Sequence, residues 1–108
     1  MKKAILIILT IIALFQFSYA QNKVDVKIGV LAKRGVDNAL QQWKPTAEYL
    51  NRYYTKYNFI IVPMKFDQIS MIVSNSLVDF VIVNSSIYVD LSVKYGINRI
   101  ATLKNQVF

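Results

Sequence analysis

The sequence predicts an α/β fold in which a mostly parallel sheet is flanked by helices, in the order β-α-β-α-β-α-β. Short runs rich in β-branched and aromatic residues have the composition of strands. The segments between these runs carry apolar residues at the three- and four-residue spacing of amphipathic helices. Strands that alternate with helices are typical of a parallel sheet. The expected strands are Val24–Leu31, 59–66, 79–83 and 99–103.

Residues 1–20 of the 108-residue chain have the pattern of a signal peptide. Lys2 and Lys3 form a positive start, residues 4–17 are almost entirely apolar, and Ser18 and Ala20 are the small residues that a signal peptidase reads. We expect cleavage after Ala20. The alternative is an uncleaved anchor, but an apolar run of this length is short for a bilayer core that needs about 20 residues. Either way, residues 21–108 are expected to be exported to the periplasm.

Composition limits the classes of function. Removing Lys2 and Lys3 lowers the formal charge from +7 to +5, and the remaining cations are spread along the chain, so we expect an anionic ligand or surface and no nucleic acid. The chain has no Cys and no His. It therefore lacks disulfides, the commonest metal ligand and the commonest general base, and we expect no metal, no cofactor and no catalytic residue.

The first strand leads into a loop and then into helical sequence. We expect a short helical turn that ends at Gln42 and a main helix with Pro45 at its first position, where the missing N–H costs nothing. We expect that helix to stop at Asn58. Its apolar stripe is predicted to face the core, with Trp43 as the possible exception because it lies at the helix mouth. The stripe comprises Trp43, Ala47, Leu50, Tyr54 and Tyr57.

Several positions in the second half carry local signals. Pro63 places the second strand at a sheet edge or a strand end. Asp67 is expected to cap a short helix and Asn75 to end it in the left-handed conformation. The strand over 79–83 is predicted to be the most buried one. Gly96 suits the left-handed position after the last helix.

Two polar loops follow adjacent strands at their carboxyl ends, where ligands bind in open α/β sheets. In the loop over 32–38, Arg34 could engage an oxyanion with two N–H groups, or it could simply be solvated, as we expect for Lys33. In the loop over 84–88, Ser85 and Ser86 could donate to a ligand from a helix N-terminus, or could cap that helix. Asn84 could contact the ligand or hold the turn.

Tyr88 is the last candidate ligand residue, and packing against the core is its alternative role. The resulting prediction is a small-anion site that uses Arg34, Asn84, Ser85, Ser86 and Tyr88.

The ordered set of these motifs resembles the phosphate/phosphonate-type periplasmic binding-protein family. It is most similar there to the N-terminal sensor domains of tetrathionate-sensor-like two-component histidine kinases. The arrangement from Arg34-Gly35 to Trp43-x-Pro45 is the most specific part of the resemblance. The other matching positions are Ile28 to Leu31, Ala39, Leu40, Ala47, Tyr49, Leu50, Val62, Pro63, Asp79 to Val81, Asn84, Tyr88, Tyr95, Gly96 and Ile100 to Leu103.

The resemblance implies a two-lobed fold that holds a phosphonate, phosphate or sulfur oxyanion between its lobes. Residues 21–108 would then form part of the first lobe, and the chain would be the N-terminal fragment of a sensor kinase anchored in the inner membrane by downstream segments. The alternative is a fragment of the substrate-binding protein of an ABC transporter. One departure concerns the ligand: such sensors commonly have Asn-Pro-Gly-His-Tyr where this chain has Asn84-Ser85-Ser86-Ile87-Tyr88.

Overall fold

The computed structural model of the chain describes residues 1–16 and 22–104, and these form four helices and three strands. The elements in chain order are α1 (Lys2–Gln16), β1 (Val24–Leu31), α2 (Val36–Tyr53), β2 (Tyr57–Met64), α3 (Ile69–Ser74), β3 (Phe80–Ile82) and α4 (Ser85–Tyr95). The predicted α/β class is confirmed. The signal-peptide cleavage site expected after Ala20 lies outside the described residues.

The three strands form a parallel sheet in the order β2-β1-β3. In the middle strand, Ile28 pairs with Ile61 on one side and with Phe80 on the other. The prediction that β3 is the most buried strand is wrong, because β3 lies at an edge of the described sheet and its Phe80 is 46% exposed. The central strand β1 is the most buried one, with Val30 fully enclosed. Pro63 lies in edge strand β2, as predicted.

Each face of the sheet has its own apolar core, because successive side chains of a strand point to opposite faces. On one face Ile28 and Val30 pack against Ala39 of α2. On the other face Met64 packs with residues of α3 and α4, including Ile69 and Leu91. The sheet is therefore covered on both faces, as expected for parallel strands.

Helix α2 is continuous through Pro45, so the predicted break between Gln42 and Pro45 is wrong. A proline inside a helix removes one hydrogen bond and crowds the preceding turn. Here Trp43 lies before Pro45 and Leu50 after it, and both pack on the same core. Packing on both sides of the proline keeps the helix intact.

The apolar stripe predicted for this helix is correct only in part. Trp43 and Leu50 contact the core, but α2 ends at Tyr53, before the predicted stop at Asn58. Tyr54 lies in the C-cap position and Tyr57 begins β2, which starts two residues earlier than predicted. Both tyrosines are exposed rather than buried.

The strand predicted over 99–103 does not form, and those residues have no regular secondary structure. Ile100 is 78% exposed and Leu103 is similarly open to solvent. The physical reason is the shortness of β3, which has only three residues in the ladder and offers a further strand few backbone groups.

Helix α3 also departs from its predicted ends. Its N-cap is Gln68, not Asp67, and the Gln68 side chain instead accepts a hydrogen bond from the Lys65 N–H. Asn75 has φ −92°, so it is not left-handed, and its Nδ2 donates to the Met71 carbonyl. Ser76 takes the positive φ, at 52°.

Helix α1 covers most of the predicted apolar leader. Large apolar side chains along residues 5–14 of this helix are exposed, among them Ile5, Leu9 and Ile12. Within residues 1–16 and 22–104, none of the helices combines the length and apolar character that a membrane span needs.

Candidate functional site

A cavity of about 430 Å³ lies at the carboxyl ends of β1 and β3, where the sequence places the ligand site. Half of its lining is polar and half apolar. The polar residues are Lys33, Arg34, Asn38, Gln42 and Asn84, and the apolar residues are Leu31, Ala39, Trp43, Ile82 and Val83. None of the residues that line it in the described structure is acidic.

The turn after β1 places two cations on the cavity wall. The ladder continues to Ala32, whose N–H donates to the Met64 carbonyl at 2.9 Å, and the chain then turns through Gly35. Gly35 has φ 96°, a conformation that side chains disfavour. Lys33 and Arg34 are exposed between these two points, and neither forms a salt bridge within residues 1–16 and 22–104. The cavity wall therefore carries two cations that have no ion-pair partner among the described residues.

The first two turns of α2 form a second wall. Its N-cap residue is Gly35, which provides no side-chain hydrogen bond to the N–H groups of the first turn. Asn38, Ala39, Gln42 and Trp43 then face the cavity from this end of the helix. First-turn N–H groups and the positive end of the helix dipole favour negative charge at such a place, and Asp37, which lies in the first turn outside the cavity lining, already supplies one such charge.

The third wall is formed by Ile82, Val83 and Asn84 at the end of β3, and Asn84 leads directly into α4. Its Oδ1 accepts a hydrogen bond from the Ile87 N–H at 2.9 Å, which caps α4, and α4 ends at left-handed Gly96 as predicted. The Asn84 Nδ2 makes no hydrogen bond within the described part of the chain, so it can donate to a ligand. The two roles considered for Asn84 are thus compatible.

Of the five predicted site residues, the structure brings Arg34 and Asn84 to one cavity. Ser85 and Ser86 are exposed in the first turn of α4 but do not line this cavity. Tyr88 is half-buried on α4 and does not line it either. A ligand role for these three residues stays a prediction.

Sequence reasoning missed most of the α2 wall. Asn38 and Gln42 are four residues apart, as are Ala39 and Trp43, so each pair shares one face of a helix. This spacing was visible in the sequence. The break wrongly predicted before Pro45 separated these residues from the main helix and hid the shared face.

Most acidic side chains have structural partners. The Asp79 carboxylate accepts a hydrogen bond from the Lys27 N–H at 2.8 Å, and Asp25 accepts one from the Asn58 side chain. Glu48 and Asp90 form exposed ion pairs with lysines one helical turn away. No group of acidic residues in the described chain could hold a metal ion.

Comparison with known proteins gives an informative match. The chain is 31% identical over 78 residues to the tetrathionate sensor histidine kinase TtrS of Salmonella typhimurium (strain LT2). This chain is similar to a sensor kinase. The match covers 72% of the chain but 13% of the relative, so the chain corresponds to a small part of the kinase's length. The predicted similarity to sensor kinases is confirmed at this level.

The other two comparisons add nothing to this match. No family model matches the chain. No solved structure matches it either. The broader resemblance to phosphate/phosphonate-type binding proteins stays a prediction.

Proposed function

We propose that the chain is an extracytoplasmic small-anion-binding sensor lobe from the N-terminal region of a two-component sensor histidine kinase. The observation that carries the proposal is the cavity at the carboxyl ends of β1 and β3, which is lined by two cations and by residues of the first two turns of α2, with no acidic residue among its described lining. The match to a sensor histidine kinase supports the sensor role.

The lining also suggests which anions fit. A bare tetrahedral oxyanion needs polar partners on all sides, whereas half of this lining is apolar and includes the indole of Trp43. An anion with an apolar or polarisable body would place its charged end against Lys33 and Arg34 and its body against Trp43 and Ile82. Organic phosphonates, organic sulfonates and sulfur-chain oxyanions have this form. Tetrathionate, which the name of the relative mentions, is a sulfur chain with charged ends.

A sensor of this kind works by a shift between open and closed states. The ligand binds more tightly to the state in which both walls of its site are in place, and this difference in affinity drives the change. In this proposal α2 and the two loops form one wall, and a second lobe forms the other. The described residues alone are therefore expected to bind weakly.

The binding part of the proposal can be tested by tryptophan fluorescence, because Trp43 is the single tryptophan of the chain and lines the cavity. We expect saturable changes on titration with tetrathionate or phenylphosphonate and smaller ones with sulfate. Arg34→Gln should weaken binding by about tenfold, which corresponds to about 1.4 kcal/mol for a lost charged hydrogen bond. Arg99→Gln, which removes an exposed cation outside the cavity, is the matched control. An equal response in the Arg34→Gln protein would exclude the site.

The sensor part is tested at the genetic locus. An in-frame continuation after Phe108 with a second lobe, a membrane helix and a kinase core would support a sensor kinase. A second lobe followed by a stop codon would instead favour the transport binding protein. Sequencing across this region separates the two.

A further inference from the structure

Four tyrosines form an exposed aromatic surface at the end of the sheet opposite the cavity. We define this tyrosine patch as Tyr49, Tyr53, Tyr54 and Tyr57, whose exposed fractions lie between 41% and 68%. Tyr49 and Tyr53 stack at a centroid distance of 5.9 Å, and Tyr54 meets the edge of Tyr53 at 4.9 Å. Tyr49, Tyr53 and Tyr54 thus form one continuous surface, and Tyr57 joins it through the ring of Phe59.

The tyrosine patch is fixed to the core. The ring of Phe59 lies 6.1 Å from the rings of both Tyr54 and Tyr57, and Phe59 itself packs against the core below α2. A surface held in this way is organised before any partner binds, so little side-chain freedom is lost on binding.

The charged residues around the tyrosine patch indicate which kind of partner it fits. Arg52 and Lys56 are exposed within the same segment as the patch, and Lys23 is exposed just before β1, whose first residue pairs with Tyr57. Two carboxylates lie in neighbouring sequence: Glu48 is paired with Lys44, and Asp25 accepts a hydrogen bond from the neutral Asn58 side chain and so keeps its charge. Three cations against one carboxylate without an ion pair leave this end of the sheet with a net positive charge. Tyrosine rings flanked by cations match the interface of an anionic bilayer, where amphipathic rings lie at the headgroup level.

The path of the chain points to the same partner. Helix α1 exposes apolar side chains that a lipid phase accepts better than water does, and it ends at Gln16. From Gln16 to Val24 the chain can span at most about 29 Å, because a residue adds no more than about 3.6 Å. Val24 is paired with Tyr57 of the patch. In the uncleaved chain, the alternative considered for the leader, α1 in lipid thus keeps the tyrosine patch within reach of the bilayer surface; after cleavage, docking depends on the rings and cations of the patch alone.

We infer that the tyrosine patch, with Arg52 and Lys56, docks on an anionic lipid surface and holds the amino-terminal end of the sheet against it. The cavity at the other end of the sheet stays open to solvent in this orientation. Pairing of β2 with a second copy is a poorer fit, because Pro63 lacks an N–H and the outward backbone groups of Phe59 are bonded to Asn51.

The absence of cysteine allows a spin label at a single introduced site. The full chain carrying a label on Thr55→Cys, beside the patch, is mixed with phosphatidylethanolamine vesicles that contain about one quarter phosphatidylglycerol, a source of anionic headgroups. Power saturation then compares collisions of the label with oxygen, which enters lipid, and with a water-soluble nickel complex. A label on Ser70→Cys, an exposed position in α3, is the control.

We expect the label at position 55 to favour oxygen and the label at position 70 to favour nickel. Tyr53→Ser/Tyr54→Ser should remove the oxygen preference, whereas Tyr95→Ser, an exposed tyrosine on α4, should keep it. All these proteins contain α1, so each can be tethered to the vesicle in the same way. If only the double variant loses the oxygen preference, the cause is therefore the loss of the two tyrosine rings and not a loss of tethering. Far-ultraviolet circular dichroism confirms that the variants are folded. Equal nickel access at positions 55 and 70, or dipolar broadening between labels of two chains, would overturn the inference.

Discussion

Asn51 of α2 binds both backbone polar groups of Phe59 in the edge strand β2. The Phe59 N–H donates to Asn51 Oδ1 at 2.6 Å, and Asn51 Nδ2 donates to the Phe59 carbonyl at 3.2 Å. The amide side chain therefore occupies the place that a neighbouring strand would take. Since an uncovered edge invites pairing with other chains, this contact protects the open side of the sheet.

Asn51→Ala should destabilise the fold and expose this edge. Losing two partly buried hydrogen bonds costs about 1 to 3 kcal/mol, because the Phe59 groups lose their partner. Chemical denaturation measures the change, and light scattering measures the self-association that we expect to rise. Thr46→Ala, at an exposed position of the same helix, is the control. Unchanged stability in Asn51→Ala would show that water replaces the side chain without cost.

Gly29→Ala should also destabilise the fold, for a steric reason. A Cβ at Gly29 would lie 2.7 Å from Met64 Sδ and 3.4 Å from Val81 Cγ1, and Met64 is fully buried. Overpacking of a core costs about 1 to 3 kcal/mol. Thermal unfolding of Gly29→Ala, Met64→Ala and the double variant measures the coupling between the two sites. We expect Met64→Ala to cost less in the Gly29→Ala background than in the unaltered chain, by about 0.5 kcal/mol or more. Strict additivity would contradict the contact.

Pro45→Ala should stabilise the protein. The substitution restores an N–H inside α2 and removes the clash of the proline ring with the preceding turn, whereas proline's effect on the unfolded chain works in the other direction. We expect a net gain of about 1 to 2 kcal/mol, since interior proline costs about 3 kcal/mol relative to alanine. The midpoint of thermal unfolding should rise. A lower midpoint would show that the helix depends on a bend at this residue.

Asp79 should tolerate asparagine better than alanine. Its Oδ2 accepts from the Lys27 N–H while its own N–H donates to the Lys27 carbonyl, so the side chain extends the pairing of β1 with β3 by one bond. Asparagine keeps an acceptor, and alanine removes it at a cost of about 1 kcal/mol. Denaturation of both variants checks the order. Equal losses would indicate that the negative charge, rather than the acceptor, matters.

Local sequence signals predicted the parts of the fold in which local and tertiary preferences agree. The apolar run of β1 and the left-handed Gly96 follow from short patterns and are present in the structure, and the cap expected from Ser85 or Ser86 is supplied one residue earlier, by Asn84. The strand predicted over 99–103 failed because a strand needs a partner with enough backbone groups to pair, and β3 is too short. A single sequence pattern does not carry that information.

The candidate site shows the same limit. Arg34 and Asn84 were predicted because each follows a strand at its carboxyl end, which is a rule of topology. Asn38, Gln42 and Trp43 were missed as a group because tertiary packing carries α2 through Pro45, against the local preference. The tyrosine patch was hidden for a related reason. Tyr54 and Tyr57 match the helical spacing, but the helix ends before them.

The two apolar cores differ in how far their residues take part in the cavity. Ala39, Trp43 and Ile82 belong to the core on the α2 face and also line the cavity, so substitutions at these positions affect the core and the proposed site together. Of the residues that form the opposite core, Met64, Ile69, Ile72 and Leu91 do not line the cavity, whereas Leu31 and Val83, which pack against that core, do. Substitutions of Trp43 or Ala39 could therefore change the shape of the cavity without touching the Met64 core, whereas substitutions of Leu31 or Val83 would change both at once.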